Sequence, residues 1–465
     1  MPTPYPASTF DRHRPLAPIA WFAILAVTLT GSALAQADWI SYTEATDTRL
    51  VADAAVGSDD TEEKDIVVGD VDQDGDPDVL IARKAPFSSP GGARNVLLMN
   101  EGGVLTDRTA TLAPEMMDVT DDRDIVLVDV NDDTWLDAVT VTTFGEQPRI
   151  YINLGNSAEG GTWQGFEYVA SDNRLPTFVP GPKFCAVGFG DVTGDDIPEL
   201  HFVDYDNDLE DRLLINDGSG FFTDETSLRM TTEMADSVFG TDSHILDMNG
   251  DGWNDIVKDN ASGSAPPPGF DSAVHILYND GTGNFDFMDR PYTDAPYMVE
   301  PGDFDGNGRP DIYVVDDAQD AYLLNTGNDA QDHAVFQTNT VTGSPNTAGF
   351  GGNTKVHDLN NDGLLDVLVA DVDTDIPGCN REMVILQGQG TLPNISFTDP
   401  LNGAARPWLP SGTFDLEALD IDGDGVLDLI LGTCDGTRLF MGTIPTVFVD
   451  GFESGDTTAW SSVGN

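Results

Sequence analysis

Short apolar runs alternate with acidic turns along most of the chain, and one arrangement of them recurs seven times. In each copy a β-prone run, such as IVV from Ile66, leads into an acidic stretch, and a second apolar run, such as VLIA from Val79, follows it. No segment keeps a helical period of apolar positions long enough to supply a crossover helix. Consecutive strands should therefore be antiparallel.

Two further runs complete each copy. A third apolar run ends in turn-forming residues, as in VLLMNEGG from Val96 and RLLINDGSG from Arg212. Asn-Asp-Gly or Asn-Glu-Gly between apolar runs predicts a β-hairpin. A fourth, shorter run carries the related segments LTDRT from Leu105, FTDET from Phe222 and FTDPL from Phe397. Each copy thus predicts four strands.

The acidic stretch follows the pattern D-x-[DN]-x-[DN]-G-x-x-D, and its first acid recurs at intervals of 55 to 62 residues. The first acids are Asp70, Asp129, Asp191, Asp247, Asp303, Asp358 and Asp420. Self-similarity at a near-constant period is typical of repeat architectures. Seven four-stranded repeats predict an all-β fold, a seven-bladed β-propeller of antiparallel blades formed by residues 38–450. A linear array of acidic repeats is the alternative.

Closure of such a ring needs a fourth strand for the last repeat. No F-T-D-x-T segment follows Arg438, whereas Tyr42-Thr43-Glu44-Ala45-Thr46 supplies a related segment near the start of the chain. We expect this N-terminal strand to complete the last blade, because a closed ring leaves fewer exposed sheet edges. Val447-Phe448-Val449 is the competing candidate.

The acidic loops offer oxygen ligands for a hard cation. Positions 1, 3, 5 and 9 bear oxygen-containing side chains, position 7 can offer its carbonyl, and position 6 is usually the Gly that a positive φ favours. This ligand set suits Ca²⁺ better than the smaller Mg²⁺, and softer metals would need His or Cys. An EF-hand would place its closing Glu at position 12 between helices. Plain surface turns are the alternative, but they need no acid at position 9.

We therefore predict up to seven structural Ca²⁺ sites. Their ligands are Asp70, Asp72, Asp74 and Asp78; Asp129, Asn131, Asp133 and Asp137; Asp191, Thr193, Asp195 and Glu199; Asp247, Asn249, Asp251 and Asp255; Asp303, Asp305, Asn307 and Asp311; Asp358, Asn360, Asp362 and Asp366; and Asp420, Asp422, Asp424 and Asp428. The loop at Asp191 departs most from the pattern, so we expect its site to be the weakest. Thr134 replaces the position-6 Gly in the second loop and should strain that turn.

Charge and composition narrow the classes of partner. Lys and Arg total 21 and Asp and Glu total 81, so the net charge is −60. This charge argues against sequence-independent binding to nucleic acid or to an anionic membrane. A hydrophobic fraction of 40% and 48 Gly are ordinary globular usage, which argues against disorder.

The first 37 residues are predicted to be a signal peptide. Arg12 and Arg14 precede 11 apolar residues, Ile19 to Leu29, and small residues then offer cleavage after Ala35 or Ala37. At about 1.5 Å per residue this stretch is too short to span a bilayer, although a retained anchor is the alternative. We expect a secreted chain (extracellular, at the cell surface or periplasmic) with no membrane span once mature.

The chain has three cysteines, Cys185, Cys379 and Cys434. An odd, small number rules out a disulfide-dense scaffold. Cys379 and Cys434 each follow a strand that leaves an acidic loop, in neighbouring repeats. They either form one bridge or remain two thiols.

The repeated loop in this setting resembles the FG-GAP/VCBS repeats of the integrin α-chain propeller and of many secreted bacterial proteins. The resemblance covers residues 39–441. The segments most similar to the FG signature are Phe239-Gly240 and Phe350-Gly351. It implies a calcium-binding propeller that engages partners through loops. The ending VFVDGFESGDTTAWSS from Val447 resembles a tail of some secreted bacterial proteins, which implies a sorting tag in residues 451–465; a frayed polar terminus is the alternative.

The face opposite the acidic loops is the predicted binding surface, because variable connections emerge there. These connections include Asp204–Asp208, ASGSAPPPGF from Ala261, Asp371–Asp375 and Arg406–Leu409. We expect a monomeric binding or adhesion module for a protein or glycan. The alternative is that the acidic loops on this face are solvated and bind no partner. A polysaccharide-acting hydrolase or lyase and a purely structural envelope protein are the alternative functions. The sequence carries no G-x-S-x-G, H-E-x-x-H or P-loop motif, so no catalytic residue is proposed.

Overall fold

A computed structural model describes residues 39–86, 89–157, 161–205, 210–237, 239–261, 272–316, 318–342, 352–370, 379, 383–399, 410 and 412–444. Ile40–Ile444 form one compact unit. The predicted signal peptide, the predicted C-terminal tail and the competing strand Val447–Val449 lie outside the described residues. None of the helices in the described ranges has the length and apolar character that a bilayer crossing requires.

The unit is built mainly from short strands. The first ten are β1 (Ser41–Glu44), β2 (Leu50–Val51), β3 (Glu63–Gly69), β4 (Asp78–Lys84), β5 (Ala93–Arg94), β6 (Val96–Asn100), β7 (Leu105–Asp107), β8 (Val119–Thr120), β9 (Asp122–Val128) and β10 (Asp137–Thr142). The next ten are β11 (Arg149–Asn153), β12 (Phe166–Glu167), β13 (Phe184–Gly190), β14 (Glu199–Asp204), β15 (Arg212–Asn216), β16 (Phe222–Asp224), β17 (Ser243–Leu246), β18 (Asp255–Asn260), β19 (Ala273–Asn279) and β20 (Phe285–Tyr292). The last eleven are β21 (Pro296–Gly302), β22 (Asp311–Asp316), β23 (Ala321–Asn328), β24 (Ala334–Thr340), β25 (Thr354–His357), β26 (Asp366–Val369), β27 (Val384–Thr391), β28 (Asn394–Thr398), β29 (Thr413–Leu419), β30 (Asp428–Thr433) and β31 (Gly436–Thr443).

Helical segments are single turns between blades. The α-helices are α1 (Thr46–Arg49), α2 (Thr109–Leu112), α3 (Thr226–Arg229) and α4 (Thr232–Ala235), and the 3₁₀ turns are Pro114–Met117 and Ala170–Asp172. They follow the outermost strands and redirect the chain to the next blade.

Seven sheets form the blades of a β-propeller, as the repeat predicts. From the innermost strand outwards, blade 1 is β3-β4-β6-β7, blade 2 is β9-β10-β11-β12, blade 3 is β13-β14-β15-β16 and blade 4 is β17-β18-β19-β20. Blade 5 is β21-β22-β23-β24, blade 6 is β25-β26-β27-β28 and blade 7 is β29-β30-β31-β1. Neighbouring strands within these four-stranded sets are antiparallel.

The N-terminal strand closes the ring, which confirms the prediction. β1 pairs antiparallel with β31, with Ser41 opposite Thr443 and Glu44 opposite Phe440. The contact is extended by Leu439 N–H, which donates to Thr46 Oγ1 at 3.0 Å. Because the first described strand pairs with the last, blade 7 has four strands, as its neighbours do.

The sequence signature of the fourth strand marks only some blades. β7, β16 and β28 include the predicted segments, whereas β12, β20 and β24 occupy the same place without that signature. Blade 1 also has a fifth strand, β2, which runs parallel to β7 and which the repeat did not predict. Apart from β7, the outermost strands of these four-stranded sets pair on one edge only, so their sequences are less constrained.

The apolar core lies between adjacent blades. One cluster combines Val128 and Val139 of blade 2 with Phe184 and Phe202 of blade 3, all at most 5% exposed. The blades therefore pack face to face around the ring, and burial of these faces is the main source of stability.

One disulfide is present, and it settles the alternatives for the cysteines. Cys379, which follows blade 6 strand β26, is bonded to Cys434, which follows β30 of blade 7. Cys185 is buried and free. The bridge therefore links two neighbouring blades.

Candidate metal centres

The seven acidic loops connect the first and second strands of the seven blades, and all adopt one hydrogen-bonded turn. In the first loop, Asp70 Oδ1 accepts the N–H of Asp74 and Asp70 Oδ2 accepts the N–H of Gly75, both at 3.0 Å. The bonds from positions 5 and 6 to the first acid recur in every loop, at 2.9–3.3 Å and 2.7–3.0 Å respectively. The position-1 carboxylate therefore organises each turn.

The position-9 acid lies at the start of the second strand and ties the loop to its blade. One of its oxygens accepts the N–H of the apolar residue at position 2, at 2.8–3.2 Å in all seven loops. In six loops its other oxygen accepts an N–H from the third strand, at 2.6–2.9 Å. In the third loop the longer Glu199 instead leaves Oε1 buried and without a partner among the described residues.

Both positions 4 and 6 of the loops have positive φ. The sequence predicted this for position 6, where Thr134 has φ +75° and Asp196 has φ +68° in place of Gly. The positive φ at position 4 was not predicted from the sequence, although Gly, Asn, Asp or Gln occupies that position in every loop. Examples are Gln73 at φ +58° and Gly250 at φ +75°. Because β-branched residues are costly in this region, Thr134 is the most strained of these positions.

The structure brings three carboxylates together in the first, fifth and seventh loops. The acids at positions 1, 3 and 9 each offer an oxygen, and these oxygens lie within 4.8 Å of one another; the groups are Asp70, Asp72 and Asp78; Asp303, Asp305 and Asp311; and Asp420, Asp422 and Asp428. The other four loops have an amide or a hydroxyl at position 3, in Asn131, Thr193, Asn249 and Asn360. Their ligand sets are therefore less charged.

The position-5 residue is engaged in the turn itself. Its side-chain oxygen accepts the N–H of position 7 in all seven loops, at 2.8–3.1 Å, as Asp74 does from Asp76. Position 5 lies outside the three carboxylate groups. Its predicted role as a ligand remains a prediction.

The position-9 acids are buried close to other carboxylates, which disfavours their charged form. Burial, with repulsion from neighbouring carboxylates, raises the pKa of Asp78 and Asp255 to about 8. The same causes raise the pKa of the corresponding acids to about 7 in the other five loops, at Asp137, Glu199, Asp311, Asp366 and Asp428. Such a site gains stability from a bound cation or from protons. Clustered carboxylate oxygens are suitable ligands for Ca²⁺.

An asparagine at the end of the third strand links five of the loops to the next blade. Asn153 of blade 2 donates from Nδ2 to the carbonyl of Val71, at position 2 of the first loop, at 2.8 Å. Asn100, Asn216, Asn279 and Asn325 make the same bond to the loop of the preceding blade at 2.8–2.9 Å. The sequence showed these residues as parts of hairpin turns and gave no sign of the contact between blades.

The seventh loop contacts the segment that closes the ring. Arg49, at the end of α1, pairs through Nη2 with Asp422 Oδ2 at 3.1 Å and donates from Nη1 to the carbonyl of Gly103 at 2.7 Å. The N-terminal segment thus bridges a predicted metal ligand of blade 7 and the hairpin turn of blade 1.

Most of the predicted binding surface lies outside the described residues. Residues 206–208, 262–270, 371–375 and 406–409 belong to the undescribed part, while Asp204, Tyr205 and Ala261 are described. Tyr205 packs edge-on against Phe239, with ring centroids 5.0 Å apart. The predicted surface therefore remains a prediction.

Comparisons with known proteins agree with this architecture. Residues 303–369 and 358–431 match the family described as FG-GAP-like repeat. No curated protein matches the chain.

Solved structures that match the chain include a lectin from Agrocybe aegerita described as recognising non-reducing terminal N-acetylglucosamine. The identity is 16%, the TM-score is 0.48, and the match covers 79% of this chain and 88% of that chain. They also include BBS1N in complex with ARL6DN, with 11% identity, a TM-score of 0.44, and coverage of 88% of this chain and 98% of that chain. At these values the similarities carry no argument about ligands. The FG-GAP-like repeats and the seven four-stranded antiparallel blades together fit an FG-GAP repeat β-propeller.

Proposed function

We propose that this chain is a secreted binding module for a protein or glycan, and that Ca²⁺ stabilises its propeller. The observation that carries the calcium proposal is the convergence of three carboxylates within 4.8 Å in each of three loops. The same turn, with the same hydrogen bonds, recurs in the other four loops. Binding of a divalent cation relieves the repulsion among these clustered carboxylates.

The expected energetic effect of the ions is large. Extracellular calcium modules bind with dissociation constants of about 0.1–1 mM. At an ion concentration about ten times that constant, one site adds about 1.4 kcal/mol to the free energy of unfolding. The three carboxylate groups would then add about 4 kcal/mol, and seven sites about 10 kcal/mol, which is comparable with the stability of a typical domain. The role of the ions is therefore structural.

Thermal unfolding with and without a chelator tests the calcium proposal. We expect a lower midpoint in EDTA, restored by Ca²⁺ and restored less by Mg²⁺ at equal concentration. Asp72→Ala should reduce the calcium-dependent gain by one site, because it removes one carboxylate of the first group. Asp76→Asn is the matched control, since this half-buried side chain lies in the same loop but belongs to none of the three carboxylate groups. A midpoint unaffected by chelator would refute a structural ion.

A constellation that resembles a hydrolytic triad is too buried to act on a substrate. Ser243 Oγ lies 2.8 Å from His201 Nδ1, and His201 Nε2 lies 3.9 Å from Asp211 Oδ2. Ser243 is 5% exposed, and His201 and Asp211 are 0% exposed. A nucleophile must reach its substrate, so this group does not support the hydrolase alternative.

Binding and turnover assays distinguish the candidate functions. A binding module should retain a protein or glycan in calcium buffer, measured by pull-down and glycan array, and should release no product. Turnover of any member of a polysaccharide panel would favour the hydrolase or lyase instead. Secretion is tested by fractionation and N-terminal sequencing, which should place the mature start after Ala35 or Ala37.

A further inference from the structure

Blades 3 and 4 meet at a buried lysine and aspartate that are in direct contact. Lys258 lies on β18 of blade 4, and its Nζ donates to Oδ2 of Asp211, which immediately precedes β15 of blade 3. The side chain of Lys258 is 1% exposed and that of Asp211 is 0% exposed. The pair is therefore shielded from bulk water.

The surrounding groups hold both reactive atoms in place. Asp211 Oδ1 accepts the N–H of Asp204 at 2.8 Å, and Lys258 Nζ also donates to the carbonyl of Asp236 at 3.0 Å. His201 Nε2 lies 3.9 Å from Asp211 Oδ2 and is buried without a hydrogen-bond partner among the described residues. When the Ser243 hydroxyl donates to His201 Nδ1, Nε2 carries the ring hydrogen and faces Asp211 Oδ2.

We propose that Lys258 and Asp211 form an intramolecular isopeptide bond across the interface of blades 3 and 4. The ammonium of Lys258 transfers a proton to the carboxylate of Asp211, and the neutral amine attacks Cγ of the resulting acid. The tetrahedral intermediate loses Oδ2 as water, taking up a second proton from the attacking nitrogen. One ammonium and one carboxylate thus become one amide and one water, with no oxidant or co-reactant. His201 Nε2–H is placed to stabilise the departing oxygen.

Two physical effects favour this condensation. Fixed contact between the groups replaces a bimolecular encounter, for which effective concentrations of about 10⁵–10⁸ M are known. Conversion of the ion pair to an amide also removes two charges whose burial is costly. Water released from the shielded site is diluted into solvent.

The location has a structural rationale. At four blade interfaces an aspartate within or directly before one innermost strand accepts an N–H of the next innermost strand, as Asp65 does from Ile125 at 2.9 Å. The others are Asp124 with Val187, Asp242 with Val299, and Asp415 with Ile66. Blade 3 has Ala186 at this position and lacks that bond. The isopeptide would secure the interface, as the Cys379–Cys434 disulfide secures blades 6 and 7.

A second buried lysine provides an internal control. Lys64 Nζ lies 3.4 Å from Asp60 Oδ2, but Arg83 holds Asp60 Oδ1 at 2.8 Å. Lys64 Nζ donates instead to the backbone carbonyls of Asp60 at 3.1 Å and Thr433 at 3.0 Å. We therefore expect Lys64 to remain a free amine.

Intact mass spectrometry of the reduced, denatured full-length chain tests the proposal. The wild-type mass should be one water below the sequence mass, and a tryptic digest should contain one branched peptide joining the segments of Lys258 and Asp211. Lys258→Arg retains the charge but cannot form the amide, so it should show the full mass, whereas Lys64→Arg should still lack one water. A wild-type chain of full mass would overturn the proposal, as would a water loss that maps to an Asp-Gly succinimide.

Discussion

Asn153→Ala should destabilise the propeller by removing a buried link between blades 1 and 2. The side chain is 1% exposed, and its Nδ2 donates to the carbonyls of Val71 at 2.8 Å and Leu136 at 3.1 Å. Its Oδ1 accepts from Gly155 N–H at 3.0 Å and Trp163 Nε1–H at 2.8 Å. At about 1 kcal/mol for each bond lost, the free energy of unfolding should fall by about 4 kcal/mol.

The same substitution should weaken the first acidic loop, because Val71 lies between Asp70 and Asp72. Urea unfolding monitored by Trp fluorescence measures the stability, and hydrogen exchange of the loop amides measures the local effect. Gln164→Ala is the control: this exposed side chain in the same hairpin makes one 3.4 Å bond to Leu154 and should change stability by less than about 0.5 kcal/mol. If Asn153→Ala unfolded at the wild-type urea concentration, these buried bonds would contribute nothing net to stability, and the inferred link between loop and blade would be wrong.

Three further variants test backbone strain at Thr134, ionisation of Asp122 and the Cys379–Cys434 disulfide. Thr134→Gly should raise the free energy of unfolding by about 1–2 kcal/mol, because it relieves a β-branched residue at φ +75°; a destabilised variant in urea unfolding would contradict this. Burial raises the pKa of Asp122 from 3.8 to about 6. The folded state therefore binds this proton more tightly than the unfolded state, and the free energy of unfolding falls by about 3 kcal/mol as the pH rises from about 4 to 6. Asp122→Asn should therefore gain stability over wild type at pH 7 but not at pH 4, and equal differences at both pH values would argue against the shift. Replacing Cys379 and Cys434 by Ser removes a disulfide whose cysteines are 55 residues apart, and should lower the free energy of unfolding by about 4 kcal/mol. If reduction of the wild type left its unfolding unchanged, the disulfide would not have this stabilising role.

Much of the fold could be predicted from the repeat, since each repeat specifies a local structure. The position-1 and position-9 acids and the position-6 turn residue belong to one nine-residue loop, so their spacing is visible in the chain. The closing strand at Tyr42 was also predictable, because its segment resembles the one at Phe222. The repeat predicted a fourth strand in every blade, but β12, β20 and β24 lack the fourth-strand signature. Their positions could not be predicted from it, because an outermost strand that pairs on one edge needs no particular sequence.

The amino-acid order alone determined the number of blades, the acidic turns and the place where the ring closes, because these depend on short-range patterns repeated along the chain. Tertiary structure decided which carboxylates converge, that Cys379 bonds Cys434, and that Asn153 reaches a loop 82 residues away. It also decided that Lys258 meets Asp211 across 47 residues. Such contacts arise where the faces of adjacent blades pack together, and no local pattern records which side chains will meet there.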